Sequence, residues 1–241
     1  MNQLEILPGF LITHQLCAVL KDQGTVVISD LHVGYESVLE DSGLHLPRIQ
    51  TETMRDSLLR IIEQYSPKRF IVLGDLKHEF SRNLAQEWSE ARRLLGVMQE
   101  QGEVIVVRGN HDNYLANIAS KLGIELVNEH VEGGLHFTHG HLANSHRPLV
   151  MGHEHPSVKL FDGVGAFVKL PCFLHFESEK VVVMPAFSPL ASGTDFTAVG
   201  GSDTLSPILE SANLARAKAY ACSEIGILPL GPLGKLSRAV E

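Results

Sequence analysis

Five short segments concentrate side chains able to bind metal ions or move protons: Ser29-Asp30-Leu31-His32, Gly74-Asp75-Leu76-Lys77-His78, Arg108-Gly109-Asn110-His111-Asp112, Thr138-His139-Gly140-His141 and Gly152-His153-Glu154-His155-Pro156. Asp30 and His32 stand at i and i+2, which on an extended chain puts both on one side, so they can grip one ion. The Asp75 carboxylate has two oxygens, enough to bridge two ions, and the preceding Gly74 permits close backbone approach. Asn110 offers a neutral amide oxygen, His111 an imidazole, and Asp112 a carboxylate able to orient that imidazole or stabilise its charge. His153 and His155 repeat the i, i+2 pairing. Glu154 between them faces away from the ligand side by the same alternation and is expected to be a solvated or supporting carboxylate. His141 is expected either to support a ligand or contact the substrate, or else to lie on the surface.

Each segment also has an ordinary structural reading. A strand-end Asp is most often a turn or helix cap. A solitary histidine is most often a surface or hydrogen-bonded residue, and His14, His45, His130, His136, His146 and His175 are read that way. Five such segments in one chain, four of them at strand ends facing one crevice, are a different matter. A structural zinc site needs only four ligands, whereas at least seven converge here, oxygen donors among them, which suits hard or borderline metals at a catalytic pair.

The elements that must position these residues alternate along the 241-residue chain. Short apolar, β-branched runs at Thr25 to Ser29, Phe70 to Leu73, Val104 to Val107, Leu135 to Thr138 and Val181 to Met184 predict strands. Met54, Leu58, Ile61, Ile62 and Tyr65 recur at helical spacing from Arg48 to Tyr65, with Pro47 suited to a helix start. Leu84, Trp88, Ala91, Leu95 and Met98 form the stripe of a second helix from about Ser81, which Gly102 closes. A third spans Tyr114 to Leu122. This order is that of an α/β sheet with parallel strands, whose C-terminal strand ends bind ligands. Further strands are expected at Leu11 to Leu20, Val158 to Leu160, Gly165 to Leu170 and Cys172 to Phe176. Ser211 to Ala221 reads as a helix or an ordered surface segment, and Ile225 to Leu236 as strand and turns; either could cover the site or form a dimer contact.

Nothing resembling a linker divides the chain, so one domain over residues 1–241 is expected. Hydrophobic residues make up 44% and no apolar run reaches the roughly 20 residues of a membrane helix, so no membrane association is expected. The N-terminus does not read as a signal peptide. The three cysteines are scattered, which argues against a disulfide framework and for a reducing, cytoplasmic setting. A formal charge of −8 disfavours broad electrostatic binding of duplex nucleic acid.

The five segments, in this order, resemble the signature of the calcineurin-like metallophosphoesterases: Asp30-x-His32, Gly74-Asp75, Gly109-Asn110-His111-Asp112, His139 and Gly152-His153-x-His155. The resemblance implies a metallophosphoesterase fold, α/β, a four-layer αββα sandwich of two mixed β-sheets flanked by helices. It implies that Asp30, His32, Asp75 and His155 hold one divalent ion while Asp75, Asn110, His139 and His153 hold the other, with Asp75 the bridge. His111 would face the substrate phosphate with Asp112 behind it. Gly74-Asp75-Leu76-Lys77-His78 is similar to the corresponding block of SbcD/Mre11 nucleases, which would turn His78 toward the phosphate as well. The stretch from Asp30 to Glu36 with Gly43 and Pro47, and later Pro185-Ala186-Phe187-Ser188 with Gly193-Thr194, resembles the small SbcD/Mre11-related phosphoesterases of archaeal and ligase-associated type. The DNA-capping domain and partner-binding extension of a full Mre11-type nuclease are not expected within these 241 residues.

Two ions about 3.5–4 Å apart can share a water, lower its pKa to near 7 and clamp the attacking and leaving oxygens, so the expected nucleophile is a metal-bridging hydroxide. His111 would stabilise phosphoryl charge or protonate the leaving group. Manganese is the expected metal, with iron, zinc, nickel or magnesium as alternatives. The SbcD/Mre11 resemblance, and that alone, implies a phosphodiester substrate: single-stranded or damaged nucleic acid, as in DNA repair, a cyclic nucleotide or another small diester. Phosphomonoesters are the alternative substrate, and a non-catalytic metal-binding scaffold or structural module on the same fold is the alternative role. A DNA helicase or ligase partner enters by resemblance only, and a homo-oligomer is left open.

Overall fold

The computed structural model describes residues 1–44, 47–79, 85–113, 115–162, 164–199 and 203–236. The first sheet has seven strands in chain order: β1 (Gln3–Leu7), β2 (Phe10–Thr13), β3 (Ala18–Leu20), β4 (Thr25–Ile28), β5 (Arg69–Leu73), β6 (Glu103–Val107) and β7 (Glu125–Val127). The strands from β1 to β4 pair antiparallel, and β4 through β7 pair parallel. The parallel crossovers carry helices α1 (Tyr35–Asp41), α2 (Gln50–Tyr65), α3 (Ala85–Gln101) and α4 (Leu115–Leu122).

The second sheet is also mixed. It contains β8 (His130–Glu132), β9 (Leu135–Thr138), β10 (Leu149–Met151), β11 (Pro156–Phe161), β12 (Phe167–Phe176), β13 (Val181–Val183) and β14 (Thr194–Asp195), in the order β14-β11-β12-β13-β10-β9-β8. Strands β15 (Lys218–Ser223) and β16 (Gly226–Pro232) extend it by pairing from β12.

Strand alternation sorts the apolar residues into layers. Val26, Ile28, Phe70, Val72, Val104 and Val106 pack outward against Met54, Leu58 and Ile61 of α2, Leu94, Leu95 and Met98 of α3, and Ile118 of α4. Their neighbours Val27, Ile71, Leu73 and Val107 face the opposite way, meeting Phe137, Val150, Phe173 and Val182 of the second sheet. The outer face of that sheet, with Leu149, Met151, Leu174, Val181 and Val183, is covered by Phe196, Ile208, Leu209, Leu214 and Leu233. This fourth layer is thin: among the described residues it offers a 3₁₀ turn at Leu214–Arg216 and a four-residue helix, α5 (Leu233–Leu236).

The architecture is the expected two-sheet sandwich, with local differences. Leu11 to Leu20 is two strands joined by a turn rather than one, and β1 joins them. The two runs between Gly165 and Phe176 form one ten-residue strand. Most of Ser211 to Ala221 is not helical, because Ala217, Ala219 and Ala221 alternate inward as a strand. The expected starts of the second and third helices, at Ser81 with Leu84 and at Tyr114, lie outside the described residues, as does His45. Among the described residues, no helix is long and apolar enough to cross a membrane.

Candidate metal centre

The parallel strands of both sheets deliver their C-terminal ends to one edge. Asp30 follows β4, Asp75 follows β5 and Asn110-His111 follows β6; from the second sheet His139 follows β9, and His153 and His155 follow β10. Backbone bonds stitch the ends together: Asp30 N donates to Gly74 O (3.2 Å), His32 N to Asp75 O (2.8 Å) and Gly152 N to His139 O (3.0 Å).

The side chains do not converge by extended-strand alternation as their i, i+2 spacing implies. Asp30, His32, Asp75, His153 and His155 all have left-handed backbones, with φ between 44° and 71°. A non-glycine residue held this way costs on the order of 1–3 kcal/mol and persists where its surroundings fix it. Glycine makes room beside them. A Cβ at Gly109 would collide with Asp75 Oδ1, and one at Gly74, itself at φ +76°, would lie 2.5 Å from His139 Nδ1 and 2.8 Å from Gly109 Cα.

Two ligand groups result. Donor atoms of Asp30, His32, Asp75 and His155 lie within 4.8 Å of one another, and so do those of Asp75, His139 and His153. In the first, His32 Nε2 is 3.0 Å from His155 Nε2, which is 3.2 Å from Asp30 Oδ1. In the second, His139 Nε2 is 3.1 Å from His153 Nδ1, 3.0 Å from Asn110 Oδ1 and 3.4 Å from Asp75 Oδ2. The same Asp75 oxygen is 3.9 Å from His32 Nε2, so it belongs to both groups. Metal bonds of about 2.0–2.2 Å at tetrahedral or octahedral angles set neighbouring ligand atoms about 2.9–3.6 Å apart. Most of these separations have that size.

Electrostatics point the same way. Burial disfavours charge on Asp30 and Asp75, yet the histidines hold both below the ordinary carboxylate range: His155 leads at Asp30 and His139 at Asp75. Burial also opposes the charged form of His139, but Asp75 and Asp30 override it and push its pKa up to about 9. By contrast, His32 falls to about 3, chiefly by burial, and His153 to about 4, by burial and the neighbouring His139. At His155 burial is likewise outweighed by Asp30, which raises its pKa. Two buried anionic carboxylates thus draw positive charge onto the two nearest imidazoles while the other two stay neutral, and a divalent cation bound by all of them would supply that charge instead. His139 Nδ1 lies 2.8 Å from the Leu73 carbonyl, to which it donates, directing Nε2 into the cluster.

Around the centre, His111 N donates to Asp75 Oδ1 (2.9 Å), and its ring Nδ1 donates to the carbonyl of His78. Asp112, expected behind His111, instead accepts backbone bonds: Oδ1 from Leu76 N (2.9 Å) and Oδ2 from Gly109 N (2.8 Å). It is buried, and burial together with Asp75 raises its pKa to about 6. Its contact with the β5 and β6 loops makes it a brace, while the His78 carbonyl takes the His111 ring. The His78 ring stacks on Tyr35 at 3.8 Å and lies 5.7 Å from His111, within the same cluster. Glu154 does face away from the ligands but is not solvated: it is buried and accepts from Ser206 N at 2.7 Å. The His141 ring sits 5.2 Å from His139, and its buried Nδ1 has no hydrogen-bond partner among the described residues.

Other supports give no signal in the sequence. The Gln50 amide donates to His32 O and to Ser188 Oγ, both at 2.9 Å, and Glu36 Oε1 accepts from Ile49 N and Gln50 N at 2.7 Å, capping α2 from α1. A cavity of about 340 Å³ opens beside His155, lined by Ser157, Lys169, Pro171, Ser188 and Gly193 among others.

The class follows from the chain as a whole. The calcineurin-like phosphoesterase family model matches residues 25–211, and the protein belongs to that family of metal-dependent phosphoester hydrolases. In fold it is similar to the nuclease MPE of Pseudomonas putida, at 19% identity and a TM-score of 0.70 over 95% of this chain and 98% of that one. Yfce, a phosphoesterase from E. coli, aligns over 88% of this chain and 94% of its own, at 16% identity and a TM-score of 0.39. No curated protein matches the sequence.

Proposed function

We propose that the protein hydrolyses phosphodiesters at a dinuclear centre in which Asp75 bridges two divalent ions. Asp30, His32 and His155 complete one ligand set, and Asn110, His139 and His153 the other. The carrying observation is the position of Asp75 Oδ2, 3.4 Å from His139 Nε2 in one group and 3.9 Å from His32 Nε2 in the other. Two such ions supply charge neutralisation, activation of water and a clamp on the reacting phosphate oxygens.

The chain's own residues supply the rest. His111 and His78 bind and orient the phosphate, and His111 Nε2 serves the leaving oxygen because its Nδ1 is engaged by the His78 carbonyl. Burial, then His111, holds the His78 pKa at about 4, so at neutral pH it contributes a neutral imidazole. Asp112 acts through the backbone it braces. The preference for diesters, including those of nucleic acid or nucleotides, rests on the SbcD/Mre11-related pattern and on fold similarity to a nuclease. Manganese is the metal of choice in this reading. The whole chain works as one domain, and its three buried, unpaired cysteines suit a reducing cytoplasm.

The test is turnover of bis-p-nitrophenyl phosphate against p-nitrophenyl phosphate with Mn²⁺, in wild type and His111→Ala. The diester is expected to react faster, and the variant to lose roughly 10²–10⁴-fold. A metal-loaded wild type inert toward both substrates would overturn the enzymatic reading for generic esters. Faster monoester turnover would overturn the diester preference.

A further inference from the structure

Two histidines read as ordinary surface residues have a common partner. His136, the second residue of β9, points away from the space between the sheets that its neighbours Leu135 and Phe137 fill. His146 comes from the loop between β9 and β10, and Glu129 from the turn between β7 and β8. Glu129 Oε1 lies 2.6 Å from His136 Nδ1 and 2.8 Å from His146 Nδ1, while Oε2 is 3.1 Å from the same His146 nitrogen. One donor atom from each residue falls within 4.8 Å of the other two. The imidazole rings stack at 4.6 Å and 25°.

The arrangement is braced from outside. Asn144 Oδ1 accepts from His146 N (2.8 Å), and Asn144 Nδ2 donates to Glu129 Oε2 (3.3 Å). The Arg147 guanidinium donates to the carbonyls of Asn144 (3.0 Å), His146 (2.6 Å) and Glu179 (2.8 Å). The loop backbone behind His146 is thus held although the His146 side chain is 59% exposed. Hydrogen bonding alone would join the three side chains as a carboxylate accepting from two Nδ1–H groups, and that is the competing account. The 2.6 and 2.8 Å separations are those of such bonds, so an ion entering here would replace the two protons and open them to about 2.9–3.6 Å, the spacing Glu129 Oε2 already has to His146 Nδ1 at 3.1 Å.

We propose that Glu129, His136 and His146 form a mononuclear Zn²⁺ site, separate from the Asp75 centre, that clips the β9–β10 loop to the β7–β8 turn. Two borderline imidazole nitrogens with one carboxylate oxygen make a ligand set suited to Zn²⁺, whereas Ca²⁺ and Mg²⁺ want more oxygens. Three protein ligands leave a position for water. The clipped loop begins directly after His139, so the outer ion stabilises the segment that leaves the catalytic cluster.

Equilibrium dialysis of the full chain against Zn²⁺ alone, followed by metal analysis, tests the site. Wild type is expected to bind one more ion per chain than His146→Ala, and one more than Glu129→Gln, which retains an oxygen acceptor for the imidazoles. Zn²⁺ is expected to slow proteolysis within residues 139–148 in wild type by several-fold more than in either variant. Because these three residues lie outside the catalytic cluster, Mn²⁺-supported hydrolysis is expected to be unchanged in both. Equal zinc counts in the three chains would overturn the proposal and leave only the hydrogen-bonded cluster.

Discussion

Gly109→Ala adds one methyl group in the loop after β6, yet its effect should fall on the metal centre. The new Cβ would lie 2.9 Å from Asp75 Cγ and closer still to Asp75 Oδ1 and to its backbone nitrogen. Ordinary van der Waals contact begins near 3.4 Å. Asp75 Oδ1 and the Asp75 backbone at its nitrogen must therefore both retreat by about 1 Å, and displacement of that order at a positioned group costs roughly 10²-fold in rate. Backbone on both sides resists: Asp112 ties Gly109 N to Leu76 N, and His111 N holds Asp75 Oδ1. Overpacking of this kind destabilises by about 1–3 kcal/mol, so the variant should still fold. The assay is diester turnover with saturating Mn²⁺ alongside metal analysis and thermal unfolding. A folded Gly109→Ala chain with wild-type turnover and wild-type metal content would refute the claim that Gly109 reserves the space for Asp75.

Two further outcomes follow from buried charge. Lys77 and Glu87, both fully buried and 3.2 Å apart, anchor the segment bearing His78, because Glu87 Oε1 also accepts from Glu79 N; Lys77→Ala should cost about 3–5 kcal/mol in chemical denaturation, since it strands a buried carboxylate. A loss below 1 kcal/mol would show that the pair holds nothing. At Glu132, burial raises the pKa, but hydrogen bonds from Thr25, His130 and Arg69 outweigh it and leave it below the ordinary glutamate value of 4.5. The carboxylate thus contributes stability above pH 4.5 that is lost as pH falls through the lower folded value. Denaturation of metal-free protein should show the gap between wild type and Glu132→Gln narrowing as pH drops below 4.5; a gap that stays constant contradicts this.

The sequence disclosed the parts of the site that depend on residue type. Asp30, Asp75, Asn110 and the histidines follow apolar runs at strand ends, and the parallel order of β4, β5 and β6 is readable from alternating strand and helix patterns. It did not disclose how they meet. The left-handed backbones of Asp30, His32, Asp75, His153 and His155 are held by tertiary bonds between loops far apart in sequence, and no local propensity encodes them. Gln50 and Glu36 give no signal for the same reason, since a glutamine or glutamate in the first turn of a helix reads as surface. Asp112 lies next to His111 in sequence, which implied a carboxylate–imidazole pair, but the tight turn directs it to the backbone amides of Leu76 and Gly109. His136 and His146 looked solitary because Glu129 reaches them only through β8–β9 pairing and the return of the β9–β10 loop.

The most direct measurement of the dinuclear centre is an anomalous difference map from crystals equilibrated with Mn²⁺, recorded at the manganese absorption edge. Two peaks about 3.5–4 Å apart are predicted, with the Asp75 carboxylate between them, one beside His32 and His155 and the other beside Asn110, His139 and His153. A single peak, or two peaks that share no contact with Asp75, would contradict the account.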